Sequence, residues 1–261
     1  MRCEILKDVD GVMTADPARV PDARLLSRLD WDEMEKIAAS GCGVVHLRAV
    51  EYARRHQVTL VVRSSFHDRP GTVIGAPVDD ASAATGVDPA GAEAAAAPAP
   101  AGAPGEPQSR YRPLAMTVSA AAARLRLVTT DTDLARAWRA ELLERLDPAR
   151  TIAEWLDVSD SFRWEIVAPL QALDGLPERL RALDAEGRGT VDWQSGLSCI
   201  SLAGGRPDSW LQVHRHLDAL RDETGGRPWR LRADGSTLRI LLDGAEPGDL
   251  PARLHRLLLP D

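Results

Sequence analysis

Asp8-Val9-Asp10-Gly11-Val12-Met13-Thr14-Ala15-Asp16-Pro17 is the stretch on which the reading of this chain turns. It follows a short strand, Cys3-Glu4-Ile5-Leu6, and Gly11 behind Asp10 permits the close backbone approach that a strand-to-loop turn beside a ligand uses. Asp30-Trp31-Asp32-Glu33 is a capping box that starts a helix with Trp31, Met34, Ile37 and Ala38 on one face. A second helix runs from about Leu47 to His56, and Thr59-Leu60-Val61-Val62 is short and β-branched, hence a strand. Two or three strands with two helices cannot close a doubly wound sheet. Residues 1–75 therefore read as an incomplete α/β segment with at least one sheet edge and one helix-binding face left uncovered.

Further along, residues 76–110 change composition abruptly. The run from Ala92 to Gly105 is Ala, Pro and Gly with almost nothing to bury, which predicts a disordered linker that lets the first segment move independently. Residues 111–261 carry a twofold repeat. In the first copy the strand Leu125–Thr129 leads to a helix with Leu134, Trp138, Leu142 and Leu146, strand-like segments near Thr151–Trp155 and Phe162–Val167, and a helix with Leu176, Leu180 and Leu183. The second copy repeats the order: Leu197–Leu202, a helix with Trp210, Val213, Leu217 and Leu220, strands Trp229–Arg232 and Thr237–Leu242, and a helix with Leu250, Leu254, Leu257 and Leu258. Two βαββαβ units in tandem follow, each an antiparallel four-stranded sheet with two helices on one face.

Composition narrows the function classes. The 261 residues carry a net charge of −7, so no basic stripe is available to displace counterions from a nucleic acid. Of 32 basic residues only Lys7 and Lys36 are lysines, a mark of high-GC coding. Cys3, Cys42 and Cys199 are odd in number and far apart, which suggests neither a disulfide framework nor a zinc site. No apolar run approaches 18 residues and the N-terminus carries Lys7, Asp8 and Asp10 where a signal peptide needs an apolar core, so a cytoplasmic protein without membrane contact is expected.

The stretch 8–17 resembles the nucleotide-side segment of aspartokinases, the kinases that phosphorylate the side-chain carboxylate of aspartate. The resemblance continues through Val20-Pro21-Asp22-Ala23-Arg24, Ser40-Gly41-Cys42-Gly43-Val44-Val45-His46, Val50-Glu51-Tyr52-Ala53-Arg54-Arg55, Val62-Arg63-Ser64-Ser65-Phe66 and Pro70-Gly71-Thr72. It implies that residues 1–75 are the last part of an amino-acid-kinase domain, without the Lys-Phe/Tyr-Gly-Gly strand-to-loop and the aspartate half. It also implies that residues 111–261 are paired ACT regulatory domains, whose end pattern is similar to Gly235-Ser236-Thr237-Leu238-Arg239-Ile240 with Leu254-His255.

By the same resemblance Asp8, Asp10, Gly11 and Asp16 are the nucleotide-side residues, in degenerate form. Lys7 stands for a usual Thr, Met13 for a Tyr, Ala18 for an Arg and Gly43 for a Lys. Loss of two cations removes charge compensation for a transferring phosphoryl group, and Arg19 or Lys7 would not restore a bidentate geometry. ACT domains that bind amino acids usually carry Gly where the ligand meets a helix N-terminus. The first copy has Thr129-Thr130-Asp131-Thr132-Asp133 there; the second keeps Gly204, Gly205, Asp208 and Ser209, the candidate effector residues beside the plainer reading of a capped turn. His214 and His216 point to different helix faces and His46 and His56 lack ligand-spaced partners, so no metal site and no catalytic residue is assigned.

The expectation is a regulatory or scaffolding subunit of an aspartokinase type, inactive alone and linked to aspartate-family amino-acid biosynthesis. ATP with magnesium would enter only if a partner completed the site. Its partner is a second copy or an amino-acid-kinase chain, with an amino-acid effector open. The alternatives are a component of a split aspartate kinase and a pseudo-enzyme diverted to another pathway.

Overall fold

The computed structural model describes residues 1–76, 113–146, 151–158, 161–204, 213, 217, 220, 229–234, 236–244 and 246–259. Most of the expected linker, and Gly205, Asp208 and Ser209 of the expected effector loop, lie outside the described residues.

The first segment is a four-stranded sheet in the order β1-β3-β4-β2, with β1 at Arg2–Lys7, β2 at Arg28–Asp30, β3 at Thr59–Ser64 and β4 at Thr72–Gly75. β1 runs parallel to β3 and β2 parallel to β4, while β3 and β4 are antiparallel. Helices α1 (Trp31–Ala39) and α2 (Leu47–Arg55) cover it. Both halves of the capping box form: Glu33 N donates to Asp30 Oδ1 at 2.7 Å, and Asp30 N donates to Glu33 Oε2 at 2.8 Å. His46 caps α2 by accepting from Arg48 N at 3.2 Å. Met34, Ile37, Val50, Val62 and Ile74 are fully buried in its core.

The second half is one six-stranded antiparallel sheet, β6-β7-β5-β8-β10-β9. Its strands are β5 (Ala115–Thr129), β6 (Ile152–Val158), β7 (Ser161–Pro169), β8 (Gly189–Ala203), β9 (Trp229–Asp234) and β10 (Thr237–Asp243), with α3 at Thr132–Arg145, α4 at Leu176–Leu183 and α5 at Leu250–Leu258. The two expected units are nested, not consecutive. Residues 122–129 of β5 pair with β7 and the start of β8, giving the first unit its central strand. Residues 115–119 pair with the end of β8 and so supply the fourth strand of the second unit from in front of the first. The register shifts between Ser119 and Arg124 mark the handover. The expected strand at Leu125–Thr129 was only the second half of this element.

Each unit has its own core. The first packs α3 and α4 on the sheet through Leu134, Trp138, Leu142, Trp164, Ile166, Leu176 and Leu180. Trp138 Nε1 donates to Leu180 O at 2.8 Å, and its ring meets Trp164 edge-on with centroids 6.5 Å apart. Leu183, expected on this stripe, is 44% exposed. The second gathers Ile200, Leu202, Leu238, Ile240, Leu254 and Leu258 with the helical residues Val213, Leu217 and Leu220. Twist accumulates across the sheet until it coils on itself: Glu165 of β7 reaches Arg232 at 3.3 Å and Arg230 at 3.7 Å, both on β9.

The expectation that the first segment moves independently is corrected here. Ala15 and Val20, from the loop after β1, are buried in the second unit's core, and Ala115 and Ala203 are buried in the first segment's core. Apolar side chains on that loop leave water only by entering the neighbouring core. Hydrogen bonds among the described residues fasten the junction. Met116 N donates to Thr14 O at 2.7 Å, and Thr14 Oγ1 meets the buried His255 Nε2 at 2.8 Å. Arg24 Nη2 donates to Leu259 O at 2.8 Å, and Thr117 Oγ1 to Ser40 O at 2.6 Å.

Candidate functional site

A cleft of about 530 Å³ opens where the end of β1, the loop 8–17, the turn after α1 and the first residues of β5 meet. It collects all four nucleotide-side residues expected from sequence, Asp8, Asp10, Gly11 and Asp16, on one side. Gly41, Cys42, Gly43 and Val44 form a second side. Ala115, Met116, Thr117 and Val118 close the third. This last wall comes from the other half of the chain, and no local sequence signal points to it.

Gly11 is where the loop leaves the sheet. Its φ is +150°, and a Cβ there would lie 2.6 Å from Thr72 Oγ1 and 2.8 Å from Leu25 Cδ1. Thr72 Oγ1 accepts from the buried Val12 N at 2.8 Å, so glycine lets the loop lie directly against β4. Asp16 shapes the far end of the loop: its Oδ1 accepts from Ala18 N at 3.0 Å and its carbonyl from Val20 N at 2.9 Å. Asp10 is held by His67 Nε2 at 2.8 Å and by Arg69 Nη1 at 3.3 Å. Lys7 Nζ donates to Gly43 O at 3.3 Å, bridging two sides of the cleft. Burial pushes the Cys42 thiol up, against the opposing pull of the Val44 backbone and Lys7, which disfavours the reactive thiolate.

Three carboxylates and one ammonium among the lining residues make the cleft acidic. A nucleoside triphosphate also needs positive charge, from side chains or a metal ion. The ammonium present is turned onto a carbonyl, and the Arg69 guanidinium is engaged with Asp10. Nor do the carboxylates converge: among the described residues, no three His, Cys, Asp or Glu side chains are grouped to hold a metal ion. These residues by themselves supply neither the cations nor the grouped ligands that the nucleotide and magnesium implied by the resemblance would need.

At the expected effector loop, Gly204 is occupied by the fold. Its N–H donates to Ser236 O at 2.8 Å, and Leu114 packs so closely that a Cβ would lie 2.5 Å from Leu114 Cγ. That N–H is not offered to a ligand carboxylate.

An α/β segment of kinase type, joined through a shared core to two nested ferredoxin-like units, defines the class. Residues 1–64 match the family model described as the amino acid kinase family. Aspartokinase of Mycolicibacterium smegmatis is 51% identical over 78 residues, 30% of this chain and 18% of that protein. Aspartokinase of Thermus thermophilus is 51% identical over 72 residues, 28% of this chain and 18% of that protein. Among solved structures, E. coli aspartokinase III in complex with aspartate and ADP superposes with a TM-score of 0.69 at 17% identity, covering 99% of this chain and 52% of that one. Clostridium acetobutylicum aspartate kinase gives a TM-score of 0.68 at 12% identity, covering 98% and 54%. The matched stretch thus spans about a fifth of the curated relatives' length, and the likeness to the solved structures is one of fold. The chain is similar to the amino acid kinase family over residues 1–64 and to aspartokinases over its first third, and along its length it shares the fold of solved aspartokinases.

Proposed function

We propose that this chain is a regulatory or scaffolding subunit of an aspartokinase-type system, serving aspartate-family amino-acid biosynthesis in the cytoplasm and turning over no ATP by itself. The observation that carries the reading is the acidic lining of the cleft, with Met13, Ala18 and Gly43 where cations and an aromatic ring would serve a nucleotide. Phosphoryl transfer depends on positioned positive charge, and this cleft supplies carboxylates. A coupled assay with the purified chain, aspartate and MgATP should show no turnover. A rate of about 1 per second or more would overturn the reading.

The open side of β1 favours a partner. β1 ends its sheet and pairs with β3 alone, its outer edge is unpaired among the described residues, and Leu6 is 57% and Phe66 79% exposed near it. Such an edge accepts another strand. This supports a second reading, in which a separate polypeptide carrying the remaining kinase half docks there and completes a split aspartate kinase. Turnover that appears only on mixing the two polypeptides would select it.

A further inference from the structure

We propose that the contact between Thr14 and His255 is a proton-sensitive latch, which holds the kinase-type segment on the second ferredoxin-like unit at neutral pH and lets go when His255 is protonated. Thr14 belongs to the loop after β1 and His255 to α5, so the contact joins the two halves of the chain. Both side chains are out of water, at 3% and 2% exposure, with Oγ1 and Nε2 2.8 Å apart. The direction of the bond follows from counting hydrogens. A threonine hydroxyl has one to give. Thr14 Oγ1 already accepts from Arg24 N at 2.9 Å, and His255 Nε2 is the one acceptor that its hydrogen meets among the described residues. The hydroxyl therefore donates and the imidazole accepts, which makes His255 neutral with its proton on Nδ1. A second ring proton would sit on Nε2 and point at the hydroxyl hydrogen. The bond could survive only by turning round, which would leave the buried Thr14 O–H without an acceptor.

The ionisable groups on the elements packed around His255 are engaged elsewhere. On the loop, Arg24 sends its guanidinium to Leu259 O at 2.8 Å, one turn beyond His255, and so places like charge at the end of α5. Asp22 reaches Arg256 at 4.0 Å, Asp16 accepts from Ala18 N, and Arg19 lies 3.9 Å from Glu246. α5 itself adds Asp249 at its start and Arg253 and Arg256 beside the ring. The strand residues under this helix, Met116, Ile200, Leu202, Leu238 and Ile240, are apolar, as are Val213, Leu217 and Leu220 of the neighbouring helix. The last turn of α5 favours a cation, but burial among these side chains opposes one more strongly. Opening of the junction exposes the ring to water, where it takes a proton near its ordinary value of about 6.5. The open form thus binds more protons than the closed one. The closed form is favoured above that value and loses ground as pH falls below it, by up to about tenfold per pH unit.

Amide hydrogen exchange on the intact chain, corrected for the intrinsic rate at each pH, tests the latch. The Met116 amide donates to Thr14 O at 2.7 Å and reports on the junction. Its protection should fall about tenfold between pH 7.5 and pH 5.5, while the amides of Leu125 and Ile166 in the first unit keep theirs. His255→Gln puts an amide oxygen where Nε2 stood, an acceptor for the Thr14 hydroxyl that does not titrate. In that variant Met116 protection should stay level over the same range. The ring nitrogen chemical shifts of the unaltered chain supply a measurement that needs no variant: at pH 7.5 His255 should be in the Nδ1–H form. Met116 protection that does not change with pH, the same acid loss in His255→Gln, an equal loss at Leu125, or an Nε2–H or doubly protonated His255 at pH 7.5 would each overturn the proposal.

Discussion

The two ferredoxin-like units share one design and differ in what completes it. The first fills its core with its own residues, from Leu125 through Trp138 and Trp164 to Leu180. The second borrows: its fourth strand comes from residues 115–119, and part of its core is Ala15 and Val20 of the kinase-type segment. The self-sufficient unit stands apart from the cleft, and the dependent one walls it. Occupancy of the cleft should therefore be felt by the second unit through Met116 and Thr117 before anything reaches the first.

The strongest way to break this comparison is to empty the self-sufficient core. Trp138 is fully buried, hydrogen-bonded and packed on Trp164, so Trp138→Ala should cost about 3–5 kcal/mol in urea unfolding. Amides of β10 should keep their protection while those around Leu125 and Ile166 lose theirs. Equal loss in both units would show that the sheet, and not the two cores, sets cooperativity.

The next effect is the mirror image. Gly11→Ala forces a Cβ against Thr72 Oγ1 and Leu25, costing on the order of 2 kcal/mol. Thermal unfolding should fall, with protection lost in β3 and β10 and retained at Trp138.

Thr14→Val sharpens the comparison at a single contact. It removes the hydroxyl that meets the buried His255 Nε2 and accepts from Arg24 N at 2.9 Å, and losing these hydrogen bonds should cost about 1–3 kcal/mol. Thr14→Ser should restore most of the stability in the same denaturation series.

The smallest effect belongs to the first unit alone. The Leu134 backbone N–H holds the Asp131 carboxyl below the usual carboxylate range, with burial opposing and Arg188 assisting. A folded pKa lower than the unfolded one gives stability that is present above the unfolded value of about 3.9 and is lost as pH falls through the folded value. Asp131→Asn should flatten the acid limb of the first unit's unfolding below about pH 4 and leave the second unit's unchanged.

What the sequence disclosed was local. The capping box at Asp30, the stripe Trp31, Met34 and Ile37, and the β-branched run of β3 are readable because a few adjacent residues decide them. Asp8, Asp10, Gly11 and Asp16 were legible as one loop, and they do line one cleft. β2 escaped notice because three residues, Arg28–Asp30, are too few to show a period. The nesting escaped because a strand's partner is chosen by register over long separations, and residues 115–119 carry no mark of pairing with β8 instead of β7. The third wall of the cleft and the Thr14–His255 contact were hidden for the same reason.

The joined body of kinase-type segment and second unit is the centre of this account, and native-state hydrogen exchange on the intact chain tests it most directly. Amides of Leu60, Val61 and Val62 in β3 and of Leu238, Ile240 and Leu242 in β10 should open with one shared free energy, and Thr14→Val should lower both sets together. If β3 exchanges well before β10, and Thr14→Val leaves β10 untouched, the segment is an independent body and the account fails.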